Sequence, residues 1–322
     1  MIRNDGKIRT DLLFPPSRYL ENAPFTGAFA FNRDNNLSRY PLSLYRRGDM
    51  GAIQWIGFVM CISYISKSGS RVLLATYPVS FLRGAETEVY NRIITAIMEL
   101  ASSLGINTLE FEGFSRLNGP VFYPSTDNFF GNLNNPVFVD LLKENGFVSV
   151  EKKECHELDL SPGTPEKFGS YLFPGFKMQN IDDRSERRKK YLEFCNASPE
   201  YPEVTEIPAE VHESPLDIIE REFFSAQDVE FYSAPCSSGC IRWAVDPSDP
   251  GNGRILRFLS AGRTGQDIKI QAIARIAMKA YDRGLSTLQV GGIYSDEGEV
   301  ISFLNNAGAR KVREIERLRA VI

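Results

Sequence analysis

The side chains able to do chemistry are spread along the chain, and each has a plain alternative reading. Glu110 and Glu112 stand two apart in an apolar run. A strand would turn both carboxylates to one face, where either can act as a general base or simply wet one side of a sheet. The segment Gly262-Arg263-Thr264-Gly265-Gln266-Asp267 opens an apolar-periodic stretch. Backbone N–H groups at a helix start, with the Arg263 guanidinium, would cradle a phosphate; an ordinary loop entering a helix needs no such role. Cys236 and Cys240 are spaced tolerably for zinc, but no second pair is near and the closest histidine is His212, so two unlinked thiols is the better reading. Cys155 and His156 are adjacent in a strand-like run and therefore point to opposite faces, which rules against a nucleophile–base pair. Arg184, Arg187, Arg188, Lys189 and Lys190 form a basic run that suits nucleic acid or an acidic partner. Asp182, Asp183 and Glu186 dilute it toward a solvated helix face. The aromatic and Asn/Gly-rich insert over 119–132 suits either the wall of an acceptor pocket or a folded-down surface loop. No Walker loop and no Ser/His/Asp arrangement occurs.

The elements that must hold these residues are written twice. Residues 284–293, GLSTLQVGGI, repeat the pattern of 105–114, GINTLEFEGF: Gly, apolar, polar, Thr, Leu, polar, apolar, any, Gly, apolar. Each copy follows an amphipathic helix and leads to a second helix ending at Gly146-Phe147 or Gly308-Ala309, then to a final strand. This predicts a duplicated α/β unit, with domains at 1–162 and 163–322 joined near Ser161-Pro162-Gly163. In the first half, residues 1–50 read as irregular apart from a short strand at 27–31. A hairpin follows, with strands over 53–65 and 72–81 around Lys67-Ser68-Gly69-Ser70. Val89, Ile93, Ile97, Ala101 and Leu104 give one apolar helix face, closed by Gly105. A strand over 106–111, a short helix begun by Asn135-Pro136 and a strand over 148–160 complete it. In the second half, helices are expected at 183–194 and 216–224, strands at 240–245 and 254–260, and a helix burying Ile268, Ala272, Ile276, Ala277 and Ala280. A strand at 287–293, a helix at 297–305 and a strand at 311–322 follow.

Bulk properties narrow the class. The chain has 322 residues, 43% hydrophobic and 24% charged, enough for two cores of ordinary globular composition. The net charge of -4 gives no general attraction to nucleic acid or anionic membranes. No apolar run reaches the ~18 residues of a membrane span. The first residues lack the apolar core of a signal peptide, and five scattered cysteines suit a reducing compartment, so a cytoplasmic location is expected.

The order hairpin, strand, main helix, strand, short helix, final strand resembles the GCN5-related N-acetyltransferase (GNAT) fold over roughly 50–165 and again over 215–322. The chain as a whole is similar to a tandem GNAT. The resemblance implies a mixed α/β architecture with a sheet splayed beside the main helix. Acetyl-CoA or another acyl-CoA is the implied co-substrate, with a small-molecule or peptide amine as acceptor. It implies that the pantetheine arm pairs with exposed strand backbone and that the pyrophosphate lies on the helix start. Carried onto the second half, it makes Leu259, Ser260, Ala261, Arg263, Thr264, Gly265, Gln266 and Asp267 the cofactor-binding residues. The family's loop has glycines where this sequence has Asp267 and Lys269, and the first-half loop, Arg83 to Glu88, carries two acids. The tyrosine that often protonates the leaving thiolate is replaced by Leu142 and Leu304, and the asparagine expected at the last helix survives as Asn135 but is Glu297 in the second half. Tyr294, just after a core strand, is then the candidate acid, with Glu110 and Glu112 the candidate bases of the first half. Two other readings stay open. One is a Fem-type aminoacyl transferase taking tRNA, with 184–190 as a thin basic groove. The other is a binding protein that kept the fold and lost the chemistry. No metal is expected.

Overall fold

The computed structural model describes residues 8–13, 38–47, 52–65, 69–117, 136–198, 227–246 and 249–322. The expected strand at 27–31, the aromatic insert over 119–132, the helix at 216–224, Asn135 and His212 lie outside them, as does the side chain of Glu112.

The chain divides into two compact units: Met1–Glu151 with Ile315–Ile322, and Lys152–Glu314. Expectation placed a single cut at 162. The observed division differs because the closing strand of each half is counted with the other unit: 152–159 with the second and 315–321 with the first. A closing strand is assigned by the sheet it pairs into rather than by the linker that follows it.

In the first unit, β1 (Ile8–Leu12), β2 (Ser38–Arg47), β3 (Ile53–Ile65) and β4 (Arg71–Ser80) form an antiparallel run, and β5 (Thr108–Leu117) lies parallel to β4. A parallel neighbour needs a crossover, supplied by α1 (Glu86–Ser103). Its buried face is Val89, Tyr90, Ile93, Ile94, Ile97 and Ala101, the spacing that the sequence periodicity requires. The helix ends at Leu104, and Gly105 at φ +64° turns the chain into β5. Next comes α2 (Pro136–Glu144), which lays Phe138, Val139, Leu141 and Leu142 on the same core. Strand β2 falls where an irregular segment was expected. Its alternating Leu42 and Leu44 do mark one buried face, but the flanking polar residues mask the pattern.

In the second unit, the strand order is β6 (Val148–Asp159, from Lys152 onward), β11 (Thr287–Tyr294), β10 (Asp249–Ser260), β9 (Ser237–Asp246), β8 (Gln227–Ala234) and β7 (Lys177–Gln179). The pairs are antiparallel except β10 with β11. Between β6 and β8 lie α3 (Thr164–Gly169) and α4 (Arg184–Ala197). The crossover from β10 to β11 is α5 (Gln266–Asp282); α6 (Gly298–Asn306) and β12 (Arg310–Val321) close the chain. Ile268, Ala272, Ile273, Ile276, Ala277 and Ala280 of α5 pack on Trp243, Ile255, Phe258, Leu288 and Val290. Strands β7 and β8 were not expected, since the only elements predicted between the linker and residue 240 were the helices at 183–194 and 216–224. The fold class, mixed α/β with the same βαβ arrangement in each unit, is as the sequence predicts.

Candidate active site

The two parallel pairs share one defect. Strand β10 follows β11 only from Asn252↔Thr287 to Ile255↔Val290. Beyond that point β10 stays with β9 as far as Ser260↔Gly239, whereas β11 stays with β6 at Ile293↔Glu154 and Tyr294↔Lys153. A register shift lies in β10 between Ile255 and Arg257, and another in β11 between Val290 and Ile293. Bulges bend a strand away from its neighbour. Gly292, at φ +69°, permits the second bend without strain. Pairing between the two strands therefore ends at Ile255↔Val290, and β10 over 256–260 continues along β9 toward the start of α5. The first unit repeats this: β4 and β5 pair only from Val72↔Thr108 to Ala75↔Phe111.

The helix starts beside the two sets of strands both lack a side-chain cap hydrogen bond, and both carry an acid in the first turn. That of α5 is capped by Gly265, whose backbone is extended and which offers no side chain to the first N–H groups. The turn before it is pinned from within: the Ser260 hydroxyl donates to Gly262 O and lies 3.1 Å from the Thr264 hydroxyl. Gln266 accepts from the Glu299 N–H at 2.9 Å, tying this helix start to that of α6. Asp267 is exposed in the first turn. At the start of α1, Glu86 turns back so that its carboxylate accepts from Gly84 N–H at 3.0 Å. Its carboxyl is held below the usual range by hydrogen bonds from its own backbone and from Gly84. Each helix start thus has an acid of the chain beside it, Glu86 in α1 and Asp267 in α5.

Around the mouth of the second cleft is a cluster of charge. Arg263 grips Asp296 with both terminal nitrogens, at 3.0 and 2.5 Å, and its Nε lies 3.6 Å from Glu297. The Asp296 hydrogen bond lifts Arg263 further above its ordinary range, and the same bond holds the Asp296 carboxyl low. The guanidinium lies over the Tyr294 ring at 4.0 Å, and the amines of Lys153 and Lys269 each lie 5.0 Å from that ring's centre. Lys269 is fully buried, with its ammonium 3.0 and 3.1 Å from the two oxygens of Glu297, which also accepts from Tyr294 N–H at 3.0 Å. Burying these charges is tolerable only because they are paired.

The structure thus brings Arg263, Ser260, Thr264, Gly265, Gln266 and Asp267 together with Tyr294 at one cleft, with Leu259 buried beneath and Ala261 exposed above. Arg263 points at Asp296 rather than standing free for phosphate. Lys269, in a position where glycine was the expectation, is an internal ion-pair partner. Asp296, Glu297, Lys269 and Lys153 were not foreseen as neighbours of Tyr294. The only signal for them was the Tyr-Ser-Asp-Glu run after the strand, which reads equally well as a helix start.

Glu110 lies in the first unit, buried, where Arg317 holds one carboxylate oxygen at 2.5 and 3.2 Å and Arg319 the other at 2.6 and 2.9 Å. Such a carboxylate is an anchor for the closing strand more than a free base. Leu142 and Leu304 are fully buried in their respective cores, so neither short helix offers an acid there. Cys236 is exposed and Cys240 buried; among the described residues no His, Cys, Asp or Glu group is arranged to hold a metal. His156 is buried with Nε2 2.9 Å from Glu154, and burial pushes its pKa down. In the basic run, Arg184 and Lys189 are exposed, and Lys190 lies 5.1 Å from the Phe231 ring. No described helix is long and apolar enough to cross a membrane.

No protein-family model and no curated protein matches the sequence. Solved structures do match its fold. A tandem GNAT protein from the clavulanic acid biosynthesis pathway is 9% identical, covers 98% of both chains and has a TM-score of 0.51. A GCN5-related N-acetyltransferase from Sphaerobacter thermophilus is 10% identical over 98% of this chain and 95% of its own, with a TM-score of 0.50. The glucosamine N-acetyltransferase region of a fungal multi-domain β-N-acetylglucosaminidase is 11% identical over 97% of this chain and 38% of that one, with a TM-score of 0.56. The chain therefore has the tandem GNAT fold. At this identity the likeness concerns the fold alone.

Proposed function

We propose that the chain is an acyl-CoA-dependent N-acyltransferase whose co-substrate lies in the cleft between β10 and β11. The observation that carries this reading is the parting of the strands after Ile255↔Val290 toward a helix start with no side-chain cap. An extended pantetheine arm can add to the open strand edge as a further strand would, and a pyrophosphate suits the N–H groups and dipole of α5. The first unit has strands that end their pairing in the same way, but among the described residues its loop before α1 carries no counterpart of Arg263 and Thr264 beside a tyrosine at the following strand's end; we assign the co-substrate to the second.

In the reaction, an amine nitrogen attacks the thioester carbonyl, its proton passes to water, and the C–S bond breaks from a tetrahedral oxyanion. Backbone N–H groups along 256–260 are the proposed donors to that oxyanion. Tyr294, at the end of β11, is the proposed donor of the proton that the departing thiolate takes up. Lys269 and Glu297 fix its backbone, and the three cations at its ring fix its plane. The acceptor is an amine of a small molecule or peptide, and the acyl group acetyl or longer.

One observation favours a second reading, a fold retained for binding without transfer: Arg263 is engaged by Asp296 and Glu297 rather than open. Both readings are tested together by calorimetric and thermal titration with acetyl-CoA, longer acyl-CoAs and desulfo-CoA, followed by thiol release with a panel of amines. Ligand at 100 times its dissociation constant adds about 2.7 kcal/mol of stability. Stabilisation with thiol release supports the transferase; stabilisation without it supports the binding protein; no stabilisation by any of them removes both.

A further inference from the structure

The terminal strand of the first unit's sheet carries a sequence that complements itself. β1 hydrogen-bonds to β2 along one edge, and among the described residues no strand pairs with its other edge. An open edge presents a row of backbone N–H and C=O groups that a further strand can join. Chains that stay single blunt such edges with proline, lysine, a bulge or a very short strand. The terminal strand of the second unit is blunted in that way: β7 has three residues and begins with Lys177. β1 has neither proline nor lysine. Its residues Ile8-Arg9-Thr10-Asp11-Leu12 follow β2 from Ile8↔Arg46 to Leu12↔Leu42 with no register shift, and residues 9–12 are exposed.

The two charges of β1 favour a partner of the same sequence. Antiparallel copies centred on Thr10 place residue 8 opposite 12 and residue 9 opposite 11, each pair twice by the two-fold symmetry. Directly opposed side chains share a face, so Arg9 of each copy meets Asp11 of the other, and Ile8 meets Leu12. A register shifted by two residues either way would instead oppose Arg9 to Arg9 or Asp11 to Asp11, which is destabilising. Asp11 is fixed on its face from within the chain. The buried Tyr45, which lies opposite Arg9 on β2, donates its hydroxyl to the Asp11 carboxylate. Ile8 packs against the core of the unit, whereas Leu12 is 54% exposed. Pairing covers this apolar side chain, which one copy alone leaves in water.

We propose that β1 is an interface with a second copy of this chain: two copies join through β1 as an antiparallel pair centred on Thr10. The two sheets of the first units then run on into each other. Each chain has one such edge, so the assembly closes at two. The interface involves neither the cleft nor a ligand, and it stands apart from the acyltransferase reading.

Sedimentation of the full chain without ligand, over a wide range of concentration, tests this. A reversible monomer–dimer equilibrium is expected, with the amides of residues 9–11 gaining protection from hydrogen exchange as the dimer forms. Arg9→Asp and Asp11→Arg each set like charges opposite one another twice, and each should weaken association by about 5-fold or more. An equimolar mixture of the two variants should recover the dimer, because every carboxylate at positions 9 and 11 then faces a guanidinium. The exchange pattern of the parent chain keeps the test open should a variant fail to fold. A monomer at every concentration, association that continues past the dimer, a dimer equally strong in both variants, or a mixture no better than either variant alone would each overturn the proposal. None of these measurements contains CoA, so a failure of the transferase reading leaves their result unaffected.

Discussion

Neutralising Asp296 should tighten acyl-CoA binding, although Asp296 touches no ligand. In the free protein Arg263 is committed to Asp296, with contacts at 3.0 and 2.5 Å across from the loop after β10 to the loop after β11. A pyrophosphate at the α5 start must draw Arg263 away from that partner before the guanidinium can serve it. The pair is open to water, with 44% of the Arg263 side chain and 70% of the Asp296 side chain exposed. Exposed pairs of this kind are worth about 0.2–1 kcal/mol. Removing the competitor should therefore lower the dissociation constant of desulfo-CoA by about 1.5–5-fold in Asp296→Asn, since each 1.4 kcal/mol is tenfold. Arg263→Ala removes the charge-assisted contact itself, worth about 1.5–3 kcal/mol, and should raise the constant by about 10–150-fold. Isothermal titration of both variants and the parent at 50 and 200 mM salt measures this, and the gain from Asp296→Asn should shrink at the higher salt. If Asp296→Asn weakens binding, or Arg263→Ala leaves it unchanged, the arginine is structural and the phosphate assignment is wrong.

Lys269→Met should destabilise the protein by about 3 kcal/mol in urea unfolding, because the buried Glu297 loses its cation; Lys269→Met with Glu297→Gln should recover most of that loss. If the double variant is no better than the single, the pair does not carry the cost. For His156, burial lowers the folded-state pKa below the unfolded value of about 6.5, so the unfolded chain binds the extra proton first. Unfolding free energy should be level above about pH 6.5 and fall as pH drops through that value, and His156→Gln should flatten that part of the profile.

Much of the framework was legible because it rests on periodicity. The apolar stripe of α1 at Val89, Ile93 and Ile97, the glycines at 105 and 284 with φ of +64° and +80°, and the duplicated strand all follow from local rules. Strands β2 and β8 were illegible for the opposite reason. Each is held by cross-strand partners distant in sequence, such as Leu42 opposite Val59 and Phe231 opposite Cys240, rather than by its own pattern. The closing strands were located, but their partners were not, since pairing depends on which sheet edge is open. At the site, the sequence pointed to the loop around Arg263 and to Tyr294 separately. That the two stack at 4.0 Å, with Lys269 buried beside them, depends on β11 bending at Gly292, which no local pattern announces.

The central claim, that the parted end of β10 and the start of α5 receive acyl-CoA while the equivalent place in the first unit does not, can be read by amide hydrogen exchange with and without desulfo-CoA. The account predicts new protection over residues 256–268, with no change over 76–88. Protection confined to 76–88, or none at 256–268 when binding is shown by calorimetry, would contradict it.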